Sequence, residues 1–273
     1  MRYDAVLFDL YGTLVDIRTD EWSDDAWSAL RDGLISVESD RGPSWGGGRG
    51  SLFADVSADA HAAVSGRASW RDCDAATVRD VFNKVAAPIR AEAVASYGKW
   101  AEPDLLPVYA QMAGVGISAQ ASRLAWTFRQ ASTRKLRLYP GALQLLGDLH
   151  KAGLRVVLVS NAQACYTRPE LLKLGLNHVF DRIVISSEEG VRKPSPEIYQ
   201  RALAREGLRP ERAIMIGNDE RADIIGARSA GIDGIYLRTE ISPSDDPTVS
   251  SYALQSFAGA DYAGVLRFLG IRR

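Results

Sequence analysis

Between Tyr139 and Leu237, short apolar runs alternate with amphipathic stretches, and this alternation constrains the fold more than any other feature of the chain. Pro140 to Ala152 reads as a helix stopped at Gly153, and Leu154 to Val159 as a buried strand. A helical pattern then runs through Glu170 to Leu174, followed by a strand at Phe180–Ile185 and a helix at Pro196–Arg205. Ala213–Ile216 predicts a further strand, Ile224–Ala230 a helix, and Gly234–Leu237 a last strand. Strands and helices in this order form a parallel sheet with right-handed crossovers and helices on both faces. The run Ala5-Val6-Leu7-Phe8 adds a strand of the same buried, two-faced kind. The class is therefore α/β.

The stretch from Ile17 to Leu138 lacks that alternation. It carries helical patterns at Glu21–Leu34, Ala75–Val94 and Ala119–Ser132, and it holds all six tryptophans: Trp22, Trp27, Trp45, Trp70, Trp100 and Trp126. Aromatic residues concentrated there argue for a helical module with a core of its own, inserted after the first strand. Residues 1–16 and 139–273 are expected to form the α/β core, and 17–138 the helical insertion. A glycine-rich run, Gly42 to Gly50, interrupts the insertion and reads as a mobile loop. No strand precedes it and no Gly-Lys-Ser/Thr ends it, so it does not match a phosphate-binding loop. No internal repeat is found.

Composition narrows the function classes. A net charge of −1 gives no global attraction to nucleic acid or to an anionic membrane. No apolar run approaches the roughly 20 residues that span a bilayer. The first residues lead straight into a strand and do not resemble a signal peptide, so a cytoplasmic location is expected. Cys73 and Cys165 suit a reducing compartment better than a disulfide framework. His61, His150 and His178 are scattered without metal-ligand spacing, which argues against a zinc site.

Four segments at the ends of expected strands carry chemistry. Asp9 follows the first strand, with Gly12 permitting a sharp turn and Thr13 supplying a hydroxyl. Alone, Asp9 is either a nucleophile or the cap of the next turn. Ser160-Asn161 can donate hydrogen bonds to an anionic group, or can simply make a polar turn. Lys193, extended ahead of Pro194, can aim its ammonium at a strand-end carboxylate, or can lie with Arg192 in a solvated basic turn. Asp219 and Asp223 lie four apart at a strand-to-helix junction. There they either face Asp9 as oxygen ligands for Mg²⁺ or complement a helix dipole. All four lie where open α/β sheets place their ligands.

Taken in order, Phe8-Asp9-Leu10-Tyr11-Gly12-Thr13-Leu14, Val159-Ser160-Asn161, Arg192-Lys193-Pro194 and Gly217-Asn218-Asp219 through Asp223 resemble the motifs of the haloacid dehalogenase-like hydrolases. Gly226 to Ile232 is similar to the helix of that family's last motif. The resemblance implies a Rossmann-like parallel-sheet core with a helical cap inserted after the first motif. It implies a covalent aspartyl intermediate on Asp9, with Ser160 and Lys193 holding the transferred group and balancing its charge. It implies Mg²⁺ held by Asp9, the Tyr11 carbonyl, Asp219 and Asp223. Attack by a carboxylate divides one hard displacement into two easier ones, and nearby cations make attack on an anionic phosphoryl group feasible.

The sequence departs from the family's phosphatases at Tyr11, where they usually carry a second Asp that protonates the leaving oxygen. Tyr11 stands there as in the 2-haloacid dehalogenase branch, whose halide leaving group needs no proton. Asp219 and Asp223 point the other way, toward the metal-dependent members. In the insertion, Arg129, Arg134 and Lys135 are candidates for contacting an anionic substrate, or are a solvated helix end. The expectation is Mg²⁺-dependent hydrolysis of a small phosphorylated metabolite, with Thr13, Asn161, Arg129 and Arg134 binding substrate. The alternatives are metal-independent 2-haloacid dehalogenation and a scaffold that binds a ligand without turnover. The expected partner is a small anionic molecule, and the oligomeric state stays open.

Overall fold

The structure is a computed structural model that describes residues 2–40 and 69–272. The glycine-rich run, Trp45 and His61 lie outside the described residues. The chain begins with β1 (Ala5–Phe8) and β2 (Val15–Thr19), followed by helices α1 (Asp24–Asp40), α2 (Ala75–Tyr97), α3 (Leu106–Met112) and α4 (Ala119–Ser132). It returns through β3 (Thr133–Leu138) and then alternates α5 (Ala142–Lys151), β4 (Arg155–Ser160), α6 (Ala164–Lys173), β5 (Arg182–Ile185), α7 (Ser186–Glu189), α8 (Pro196–Ala204) and β6 (Ala213–Gly217). A π-helical turn (Glu220–Ile225), α9 (Gly226–Ser229), β7 (Asp233–Arg238), β8 (Gln255–Ala258) and α10 (Tyr262–Phe268) complete the chain.

Two compact units result. The α/β unit comprises Met1–Ile17, Lys99–Glu102 and Lys135–Arg273; the helical unit comprises Arg18–Gly98 and Pro103–Arg134. The expected helical span of 17–138 thus differs from the helical unit in the middle and at its end. Lys99–Glu102 leaves it because its backbone pairs with residues 190–192, and most of β3 leaves it because β3 pairs with β2 in a two-stranded sheet.

In the α/β unit a six-stranded sheet runs in the order β5-β4-β1-β6-β7-β8, and every pair in it is parallel. Both faces are covered, as the unbroken apolar strands require. Val6, Phe8, Val156, Leu158, Ile214 and Ile216 face one core cluster. The alternate residues Ala5, Leu7, Val157, Val159, Ala213 and Met215 face the other. β1 lies between β4 and β6, so the strand order reverses beside it, the place where open α/β sheets form a crevice at the strands' carboxyl ends.

The helical unit has its own core. Trp27, Leu30, Leu34 and Val37 form one buried stripe of α1 at helical spacing. Trp27 meets Phe82 and Phe128 with ring centroids 5.4 and 4.7 Å apart, and Phe82 meets Tyr109 at 5.3 Å. Asp74 starts α2 by accepting the Thr77 N–H at 2.8 Å. Among the described residues no helix is long and apolar enough to cross a membrane. Both cysteines are free thiols.

Candidate active site

Asp9 continues the β1 backbone, its N–H donating to the Ile216 carbonyl of β6 at 3.0 Å, so its position is fixed by the sheet. Lys193 arrives from the loop ahead of α8, almost fully buried. Its ammonium donates to Asp9 Oδ1 at 2.7 Å, to Asp223 Oδ1 at 2.7 Å and to the Val159 carbonyl at 2.8 Å. All three protons of the ammonium are therefore spent within the chain. Burial opposes the charge on Lys193, but Asp223 and Asp9 overcome it and hold the group protonated above the ordinary lysine range. For Asp223 the balance is reversed. Burial dominates, Asp9 adds repulsion, and Lys193 compensates only in part, so its pKa rises to about 7. Two carboxylates thus share one ammonium.

The neighbouring polar groups mostly serve this arrangement. Asn161 clamps the Lys193 backbone: its Oδ1 accepts the Lys193 N–H at 2.8 Å and its Nδ2 donates to the Lys193 carbonyl at 3.0 Å. Thr13 is fully buried and donates its hydroxyl to Asn218 Oδ1 at 3.1 Å. Gly12 has φ of +89°, and a Cβ there would fall 2.2 Å from the Asn218 amide nitrogen, so the turn needs glycine on both counts. Ser160 Oγ is different. It is buried and has no hydrogen-bond partner, the condition of a hydroxyl that a ligand oxygen would satisfy.

Asp219 and Asp223 do not act as a matched pair. Asp219 caps the π-helical turn, accepting the Ala222 N–H at 2.6 Å, while Asp223 reaches inward and accepts the Asp219 N–H at 3.0 Å. Gly217 makes room for this, since a Cβ there would lie 2.2 Å from the Asp223 carboxyl carbon. Lys193 stands between Asp9 and Asp223, and among the described residues no three His, Cys, Asp or Glu side chains converge.

Tyr11 is held by α6. Its hydroxyl donates to Glu170 Oε2 and lies 3.0 Å from Thr167 Oγ1. Neither Glu170 nor Thr167 was singled out in the sequence, because a Glu and a Thr within a helical pattern give no sign of what they face. Arg129 and Arg134 are matched by acids of the helical unit: Arg129 by Glu21 at 2.7 Å, Arg134 by Asp25 at 3.4 Å. Lys135 pairs with Asp16 at 2.9 Å. Each of these cations has a carboxylate partner already.

The strand order, the carboxylate at the end of β1 and the buried lysine coincide with a match over residues 3–231 to the profile of the hydrolase family described as haloacid dehalogenase-like hydrolase. The chain belongs to the haloacid dehalogenase-like hydrolases. Within that family it is 34% identical over 128 residues to a glyceraldehyde 3-phosphate phosphatase of Methanothermobacter thermautotrophicus, covering 47% of this chain and 57% of that one. It is 34% identical over 130 residues to a phosphoserine phosphatase of Thermus thermophilus, covering 48% of this chain and 52% of the other. The chain thus spans about half the length of the curated relatives it matches. The crystal structure of a HAD phosphatase from Thermococcus onnurineus superposes with a TM-score of 0.55 over 99% of both chains, at 17% identity, which shows a common fold.

Proposed function

We infer that this hydrolase removes the phosphoryl group from a small phosphorylated metabolite, with Asp9 as the nucleophile. The observation that carries the reading is the Lys193 ammonium held 2.7 Å from both Asp9 and Asp223. It holds Asp9 aligned and close to fixed positive charge, as attack on a phosphoryl group requires. The two relatives are named for phosphorylated small molecules, glyceraldehyde 3-phosphate and phosphoserine, which supports the same substrate class.

Asp9 forms a bond to phosphorus as the bond to the leaving oxygen breaks and that oxygen takes a proton from solvent; water then attacks the aspartyl phosphate, releasing inorganic phosphate and regenerating the carboxylate. Asn161 fixes Lys193, and Lys193 fixes Asp9. The unpartnered Ser160 hydroxyl is placed to donate to a phosphoryl oxygen. Asp9, Asp223, Asp219 and the Tyr11 carbonyl offer only oxygen donors, the type Mg²⁺ takes, although the three carboxylates do not converge and Lys193 occupies the space between Asp9 and Asp223. Bound there, Mg²⁺ would neutralise the charge of the phosphoryl oxygens. A panel of phosphorylated metabolites assayed with Mg²⁺ tests the reading. Phosphate release that vanishes in Asp9→Asn supports it, and no release from any compound refutes it.

One observation favours a second reading. Tyr11 is bound to Glu170 and Thr167 and stands where a leaving-group acid would be needed for an alkyl phosphate. A 2-haloacid needs no such acid. Halide release in the presence of EDTA would establish this alternative.

A further inference from the structure

Four residues from the middle of the insertion, Lys99–Glu102, pack as part of the α/β unit. Ala101 forms an antiparallel bridge with Val191. The Arg192 N–H donates to the Trp100 carbonyl and the Glu102 N–H to the Gly190 carbonyl, both at 2.9 Å. Gln163 Nε2 adds a bond to Glu102 Oε1 at 3.1 Å. The segment is thus strapped to the loop that ends in Lys193.

Trp100 of this strap packs against the core face that includes Val157 and Val159, and two cations flank its ring. Lys99 Nζ lies 5.0 Å from the ring centroid and the Arg221 guanidinium carbon 5.3 Å from it. Arg221 belongs to the turn between Asp219 and Asp223, two residues from the carboxylate that Lys193 holds. Trp100 therefore ties the Lys193 loop to the Asp223 turn, at the rim of the candidate active site.

The charges at this rim are unbalanced. Lys99 and Arg221 are exposed, and among the described residues neither forms an ion pair, unlike Arg129, Arg134 and Lys135. Sharing one ring brings the two charges within about 10 Å, roughly one Debye length, so they reinforce each other's field. Glu102, the acid of the strap, is engaged by Gln163, and burial raises its pKa, with Arg192 opposing the rise. Glu220 adjoins Arg221 in the turn and makes no ion pair with it. A positive spot of this kind, beside a site for an anionic group, favours a ligand with a second negative charge.

We propose that Lys99 and Arg221, spaced by Trp100, form a subsite for a second anionic group of the substrate, selecting phosphorylated metabolites that also carry a carboxylate or another phosphate. The proposal rests on the phosphoryl-transfer reading of the Asp9 site, and its test separates the two. Calorimetric titration of the full-length Asp9→Asn protein with 3-phosphoglycerate and with glycerol 3-phosphate compares ligands that differ at one carbon, carboxylate against hydroxymethyl. The carboxylate compound binds at least tenfold more tightly, and Lys99→Met or Arg221→Met each cut that ratio below threefold. Lys99→Arg keeps the preference, as does Lys151→Met on the exposed end of α5. Equal binding, no binding of either compound, or a preference that survives both Met substitutions overturns the subsite. Phosphate release by the wild-type chain from the whole panel of phosphorylated metabolites is measured alongside. A preference without release upholds the subsite and removes the phosphatase reading; release without a preference does the reverse.

Discussion

The Tyr11 hydroxyl donates to Glu170, a carboxylate 159 positions further along the chain and almost fully buried. The bond ties the loop after β1 to α6, which starts just beyond the Ser160-Asn161 pair. A buried carboxylate that loses a donor bears a desolvation cost of about 1–3 kcal/mol. Tyr11→Phe should therefore lower the unfolding free energy by that order in a urea titration. Glu170→Gln in the Phe background should recover part of the loss, because the charge is gone. An equal effect of Glu170→Gln in the wild-type and the Phe background would show that the two side chains are not coupled.

Lys193 compensates two buried carboxylates at once. Replacing it with Met leaves Asp9 and Asp223 facing each other without a cation, a change of the kind that costs about 3–5 kcal/mol. Chemical denaturation of Lys193→Met should show a loss of that size. Asp223→Asn, which relieves the repulsion, should restore much of it in the double variant.

Asp219 caps a turn and is also a proposed metal ligand, and one substitution separates the roles. Asn caps about as well as Asp, whereas Ala costs about 1 kcal/mol. Asp219→Asn should keep the urea midpoint of the parent, and Asp219→Ala should lower it. If Asp219 also holds Mg²⁺, the Asn variant needs more Mg²⁺ for half-maximal phosphate release. An unchanged Mg²⁺ titration in Asp219→Asn would restrict Asp219 to capping.

Asp16 supplies a pH dependence of stability. Burial works against its charge, but hydrogen bonds from Lys135 at 3.0 Å and Arg137 at 2.9 Å outweigh it and hold the carboxyl below the usual range. With the native pKa below the unfolded value of about 4, the stabilisation is fully present above that pH. It is lost as pH falls through the native pKa. Thermal melts of Asp16→Asn should show a lower midpoint than wild type at pH 7 and a smaller difference at pH 3. A gap that widens in acid would contradict the sign.

Gly12 is constrained by its φ of +89° and by the Asn218 amide. Gly12→Ala should cost on the order of 1–3 kcal/mol from backbone strain alone. The clash with Asn218 adds to that cost. Asn218→Ala should relieve the steric part but not the strain, which a double-variant denaturation series would resolve.

The α/β class was legible because β1, β4 and β6 are apolar on both faces, so runs such as Ala5–Phe8 and Arg155–Ser160 announce themselves without homologues. β2 and β3 gave no such sign. Their sequences, VDIRT and TRKLRL, mix charge with apolar residues because they pair only with each other, away from the large sheet. The helix expected at Ile224–Ala230 starts earlier, as a π-helical turn at Glu220, because Asp219 caps it there. In the candidate site, Asp9 stood at a readable strand end and Lys193 and Asp223 in the segments leading into the following helices, and the structure brings the three together. What Asn161, Asn218 and Tyr11 touch could not be read, since each bonds to a residue far away in sequence. Trp100 reads by position as one of the helical unit's tryptophans, although its hydrogen bond with Arg192 places it in the α/β unit.

The Lys99–Glu102 strap also limits how the chain can be taken apart. The sequence passes between the two units after residues 17, 98, 102 and 134, two more crossings than a simple insertion would make. The helical unit is therefore not a cassette that can be cut out at its ends and replaced by another. A chimaera that exchanges residues 18–134 wholesale would carry off four residues that brace the Lys193 loop. An exchange that respects the architecture is spliced in two pieces, with those four residues left in place.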